Sequence, residues 1–129
     1  MEAFLFLSKA LENLSAAQLC QQNSLYNACA NRAYFAMFQA AVAILLSKGF
    51  SFDPKKHFDH AQIQSLFANE LIHRRKILQN KFKSYLQEAE AVRGKADYSI
   101  AAISQNKAKR QLGKAEEFIE VLRKEISHV

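Results

Sequence analysis

The sequence predicts an all-α protein, a single domain over residues 1–129 built from four to five helices. Three observations lead there. Breakers are scarce, with 3 glycines and 1 proline, so long stretches are free to stay helical. Hydrophobic residues make up 50% of the chain, enough for one chain of this length to bury a real core. In several segments the apolar residues recur every three or four positions, the period of a helix face. There is no internal repeat and no low-complexity tract.

The first helix is expected over about 3–21, where Phe4, Leu7, Leu11 and Leu14 form one stripe. Asn23-Ser24 reads as a break, with Ser24 as the N-cap of a second helix over about 25–48. From Ala33 to Leu46 only Gln39 is polar. A helix apolar nearly all round must be covered on all sides, by the other helices and by a second copy of the chain. Ala33, Ala36, Ala40 and Ala43 form a small-residue strip on it, beside the bulkier Tyr34, Phe38, Ala41 and Leu45. The apolar run is shorter than the roughly 20 residues of a membrane span. Gly49 stands where a C-cap glycine belongs. Residues 50–58 hold Asp53-Pro54 and read as a loop, tucked inward by Phe50, Phe52 and Phe58.

A short third helix is expected over about 60–71, with Asp59 as N-cap, Gln62 as its capping-box partner, and His60, Ile63, Phe67 and Leu71 on one face. His60, in the first turn, feels the positive end of the helix dipole, which favours neutral imidazole. It is either a base or a packed structural His. A fourth helix from about Lys76 into 93–98 carries a seam of Leu78, Phe82, Tyr85, Ala89 and Val92, with Lys81, Lys83 and Glu90 pointing away. Residues 99–103 read as a connection, and Ser104 as the cap of a fifth helix whose seam is Ala108, Leu112, Ala115, Ile119, Leu122 and Ile126. The last few residues are expected to fray.

Charge is unevenly placed. The formal net charge is +6, but from Arg74 to Lys114 eleven Lys and Arg face three acids, Glu88, Glu90 and Asp97. That segment is +8 and the remainder −2. A basic half on a near-neutral scaffold suits a polyanion such as RNA, DNA, a nucleotide or an acidic protein; the alternative is a solvated face. If the fourth helix persists, Arg93 and Asp97 lie one turn apart. They form either an ordinary helical ion pair or an Arg held by Asp97 and aimed at phosphate. Cys20 and Cys29 match no metal-ligand spacing and read as buried or idle thiols of a reducing cytoplasm, in a chain with no signal peptide. Glu70-x-x-His73 and Glu125-x-x-His128 have the form of half a di-iron site. Such a site also needs a Glu on each of two other helices, and the second helix has no acid, so no metal and no cofactor is implied.

In its motifs the chain resembles the HEPN domains (higher eukaryotes and prokaryotes nucleotide-binding). Ala30-Asn31-Arg32-Ala33-Tyr34-Phe35-Ala36-Met37-Phe38 resembles their second-helix signature, and Leu45-Leu46-Ser47-Lys48-Gly49 its Leu-rich end. His60 resembles the His before their third helix. Arg93-Gly94-Lys95-Ala96-Asp97-Tyr98 is similar to their Arg-x-x-Ala-Asp-Tyr, and Ala115-Glu116-Glu117-Phe118 to the Ala-x-x-Phe of their last helix. The resemblance spans about residues 3–126. It implies a compact up-and-down bundle that homodimerises, and a minimal nucleotidyltransferase partner in a toxin–antitoxin-like pair. Active members are metal-independent ribonucleases with Arg, four to six residues, then His.

Here the stretch after Arg93 ends in Asp97-Tyr98 without that His, and Phe35 stands where many relatives have a second Tyr. Arg123 and His128 do have four residues between them, but at the C-terminus, away from the family position. Imidazole can both take and give a proton in RNA cleavage near neutral pH, whereas Arg93 can only stabilise charge. Three functions follow from the resemblance and the charge. One is binding of nucleic acid or nucleotide phosphate by Arg93 and Lys95, with Arg32, Tyr34, Lys81, Lys83, Lys107, Lys109 and Arg110 around them. Another is a ribonuclease toxin using Arg93 with Asp97, Tyr98 or His60. The third is a non-catalytic interaction module. Modification of Tyr98 by the nucleotidyltransferase is a further expectation.

Overall fold

A computed structural model describes residues 2–53 and 58–127. Pro54 of the expected loop, His128 of both C-terminal patterns and the expected fraying at 128–129 lie outside the described residues. Helices α1 (Glu2–Gln22), α2 (Tyr26–Ser47), α3 (His60–Leu66), α4 (Lys81–Tyr98) and α5 (Gln105–Ser127) form an all-α bundle. Among the described residues there is no strand.

α2 is the centre. It packs most extensively on α1, then on α5 and α4. Pairs along the helices give the directions. Asn13 reaches Arg32 from α1, and Asn31 meets Asp97 of α4, so both neighbours run antiparallel to α2. Cys29 meets Ala108 and Lys48 reaches the Glu125 carbonyl, so α5 runs parallel to it. The alanine strip is wholly buried within the chain. It shares its stripe with Cys29, whose Sγ lies 3.9 Å from the Ala108 carbonyl, and so it faces α5, where Ala108 and Ala115 are also buried. Small side chains on both helices let the backbones close up. This corrects one expectation, because covering α2 takes no second copy. The helix is longer than its apolar run. Tyr26–Ser47 is 22 residues long and, by length and composition, apolar enough to cross a membrane, but 72% of its most apolar window is buried inside the bundle.

Several boundaries differ from expectation for local reasons. Ser24 does not cap α2. It sits in the left-handed region at φ 62°, as the residue that stops α1. The Leu25 N–H returns to the Cys20 carbonyl at 2.8 Å and the Ser24 N–H to Gln21 at 3.3 Å, a Schellman closure. Leu25 then precedes α2 without any side-chain cap. The end of α2 closes the same way, with Gly49 at φ 101° and the Phe50 N–H on the Leu45 carbonyl. Asp59 caps α3 through the Gln62 N–H, and Ser104 caps α5 through the Lys107 N–H, as expected.

Beyond Leu66 the third helix widens into a π-helical segment, Phe67–Arg74, which buries Phe67, Ala68, Leu71 and Ile72. Lys76, two residues past its end, sits at φ 54°, outside the right-handed helical region, and α4 begins five residues later than expected. The Leu71 carbonyl instead accepts from both Ile77 and Leu78 N–H.

The stripe expected on α1 is also rotated. Ala3, Leu7, Ala10 and Ala17 are buried, while Phe4 and Leu11 are exposed. In α4 Leu86 takes the core place expected for Tyr85, and in α5 Gln111 and Phe118 join the seam while Leu112 moves to its rim. Gln111 is buried, and neither of its side-chain polar atoms has a partner among the described residues.

Candidate functional site

Asn31 and Arg32 of α2 meet α4 and α1 through side-chain hydrogen bonds, and Tyr34 beside them meets α3. From α4, Glu90, Arg93 and Asp97 share a face, three and four residues apart. The Arg93 guanidinium lies 5.3 Å from the centre of the Tyr34 ring and 5.6 Å from that of Phe35. One of its edges donates to Asp97 at 3.2 Å, while its Nε is buried with no partner among the described residues. Asn31 Nδ2 donates to both Asp97 oxygens, at 3.2 and 3.1 Å. Asn31 Oδ1 accepts from Arg32 Nε at 3.0 Å and also from Nη2. Arg32 donates onward to Asn13 Oδ1 at 3.2 Å, and Asn13 to Gln39 at 2.7 Å. The Arg32 guanidinium stands 5.6 Å from the Phe35 ring, so two cations share that ring.

The Tyr34 hydroxyl joins this cationic corner to α3. It lies 2.6 Å from His60 Nδ1, and the imidazole stacks on Phe38 at 4.1 Å. Gln64, one turn after His60, donates to Glu90. Burial pushes the Tyr34 hydroxyl up to about 12, with the Glu90 charge adding to the effect. It therefore stays protonated at neutral pH, and it donates to His60 Nδ1 or accepts from it according to the imidazole tautomer. Burial lowers the His60 pKa and Arg93 adds to this, while Glu90 and Asp59 oppose it. The sequence expectation favoured neutral imidazole through the helix dipole; burial acts in the same direction. Glu90, expected to point away, is the acid that sequence reasoning missed. Its spacing of three from Arg93 was the available signal.

The other basic residues do not form one surface with Arg93. Lys81 pairs with Glu117 at 2.6 Å, and Glu117 also accepts from the Tyr85 hydroxyl at 2.8 Å. Glu88 binds Arg110 at 3.2 Å and also Lys114. These contacts stitch α4 to α5. Lys83 is half-buried and Lys109 exposed. Lys95 and Lys107 line a separate groove by the α4–α5 connection. The Tyr98 ring is 82% exposed and makes no hydrogen bond or ring contact among the described residues. So the structure brings Arg32, Tyr34, His60, Arg93 and Asp97 together and leaves Tyr98, Lys81 and Arg110 outside. Cys29 is buried, its thiol pushed up to about 11 chiefly by burial, and both cysteines are free. Glu70 pairs with Arg74 at 2.7 Å, and His73 is exposed.

An all-α bundle with an Arg–Asp corner on an aromatic helix is the class of protein this geometry defines. The sequence of residues 3–126 matches the model of the HEPN domain, and the chain belongs to that family. Two similar proteins come from Methanocaldococcus jannaschii, both named as candidate toxins. One, MJ0605, is 31% identical over 93% of this chain and 85% of its own length. The other, MJ0142, is 29% identical over 92% and 77%. A Thermotoga maritima protein named UPF0332 protein is 29% identical over 90% and 84%.

Proposed function

We propose that this chain is a toxin-like HEPN protein that binds nucleic acid or nucleotide phosphate at the Arg32–Arg93 corner. One observation carries the reading. Two guanidiniums lie on one ring, Phe35, with Asp97 the one carboxylate paired to either of them among the described residues. The Asn31 and Asp97 bonds hold both planar forks in place, so a phosphate would meet donors that need little reordering. The relatives named as candidate toxins support the toxin-like part. A cytoplasmic homodimer, paired with a minimal nucleotidyltransferase, completes the proposal.

The test is binding of fluorescent single-stranded RNA across a salt series. Arg93→Ala and Arg32→Ala should each weaken binding and cut the salt slope by about 0.7, the share of one phosphate contact. Circular dichroism confirms folding. Unchanged affinity and slope in folded Arg93→Ala would refute the site.

Metal-independent RNA cleavage is a second reading, favoured by the Tyr34 ring that links Arg93 to His60. In this scheme His60 Nε2 faces the proton transfers and Arg93 stabilises the charge developing on phosphorus. Expression should then arrest growth, and folded Arg93→Ala and His60→Ala should relieve the arrest and abolish cleavage. Equal toxicity of the variants would sink this reading.

A further inference from the structure

At the end of the bundle that holds the α1–α2 turn, the α4–α5 connection is built rather than loose. Asn27 Oδ1 accepts from the Ile103 N–H at 2.8 Å, and Ile103 is buried. Ser99 Oγ accepts from Ala101 N–H at 3.2 Å, and Ser104 Oγ from Lys107 N–H at 3.1 Å. Held this way, the ridge thrusts Ile100 wholly into solvent, beside the exposed Tyr98, while Leu25 of the neighbouring turn is 56% exposed. Two grooves flank Ala102 and Ile103. One, of about 350 Å³, runs along Leu25 and Tyr26; the other, of about 440 Å³, lies between Lys95 and Lys107. Neither is lined by an acid. Lys81 and Lys114 are bound to glutamates, but Lys95 and Lys107 have no ion pair among the described residues.

We infer that this end of the bundle is a docking surface for an acidic, aliphatic segment of another protein. Charge complementarity selects the occupant. Two unpaired lysines beside the groove call for carboxylates on the partner. The fully exposed Ile100 of the ridge and the half-exposed Leu25 of the neighbouring turn call for apolar side chains to cover them. Single-stranded nucleic acid satisfies the lysines and can stack on Tyr98, yet it leaves Ile100 and Leu25 uncovered, because its affinity comes from phosphate charge and aromatic stacking. A symmetric contact with a second copy sets this lysine-bearing, acid-free surface against itself, in a chain of net charge +6. The hydrogen-bonded ridge is already ordered, so docking costs little conformational entropy. The surface is distinct from the Arg32–Arg93 corner and stands independently of it.

The test uses the full chain as bait for displayed random short peptides. Selected binders should be enriched in Asp and Glu together with Leu, Ile or Phe. A synthetic copy of one should bind at least about tenfold more weakly to Ile100→Ser and to the double variant Lys95→Glu/Lys107→Glu, a loss of about 1.4 kcal/mol. Binding to Arg93→Ala should match wild type. All three substituted positions on this surface are exposed, and circular dichroism confirms that the variants fold. Three results overturn the proposal: no enriched binder, a binder indifferent to these variants, or an oligouridine that displaces the peptide and is itself lost on Ile100→Ser and the lysine pair. The last would reassign the surface to nucleic acid.

Discussion

Replacing Tyr34 with Phe isolates the bond on which the site turns. The ring is fully buried and is kept, so packing against Phe35, Phe38 and Arg93 is preserved. What is lost is one hydrogen bond of 2.6 Å, and His60 Nδ1 is left without that partner. That should cost about 1–2 kcal/mol. For a chain of this length the melting temperature should fall by about 4–7 °C. The change also alters the pH dependence. The folded state holds the His60 pKa below its ordinary value of 6.5, so it takes up a proton less readily than the unfolded chain. This contribution to stability is full above pH 6.5 and is lost as pH falls from there toward the folded pKa. With the Tyr34 hydroxyl as donor to Nδ1 the bond favours the neutral ring, and on that assignment His60 in the Phe variant should titrate higher and the acid loss should shrink. Thermal unfolding followed by circular dichroism between about pH 8 and pH 5, with NMR titration of His60, reads both effects. A variant that melts within about 1 °C of wild type, or whose His60 titrates unchanged, would refute the reasoning.

The same Tyr34 group acts on the alkaline side. Its contribution is present below pH 10 and is lost as pH rises toward about 12, so the Phe variant should show a flatter alkaline limb in the same melts. Ser24→Gly should stabilise by about 0.5 kcal/mol, because glycine takes the left-handed conformation without a Cβ clash; a lower melting temperature would count against the closure described. Gln111→Met should stabilise by about 1–2 kcal/mol by removing two buried, unpartnered polar atoms; destabilisation would mean that those atoms have a partner, such as an internal water. Ala40→Leu should cost about 2–3 kcal/mol or more in urea unfolding, since the strip against α5 has no room for added carbons; a neutral result would show that the helices are not in close approach there.

Much of the fold was legible because it depends on local periodicity. Few breakers, the apolar run of α2, Gly49 at its end, and Asp59 and Ser104 as caps all act within a turn or two of their own position. Boundaries that depend on the rest of the chain were not legible. Ser24 has the composition of an N-cap, and only the path of the chain into α2 forces it into a left-handed closure of α1. The π-helical segment and the late start of α4 follow from burying Phe67, Ala68, Leu71 and Ile72 together, which is a tertiary demand. The tilt of α1 that exposes Phe4 and Leu11 is likewise decided by how it lies on α2.

The candidate site divides in the same way. The resemblance to the family's motifs marked Tyr34, His60, Arg93 and Asp97, and a single helix turn sufficed to pair Arg93 with Asp97. Glu90, the sharing of Phe35 by Arg32 and Arg93, and the Tyr34–His60 bond needed α2, α3 and α4 in place, because each joins residues from different helices. Charge was the most misleading guide. Residue counts placed eleven basic side chains in one segment, but packing spent Lys81, Arg110 and Lys114 on glutamates of the facing helix. Helical class and motif positions are properties of neighbours along the chain. Which charges stay available is a property of neighbours in space, and the packing of α4 on α5 and of both on α2 decides it.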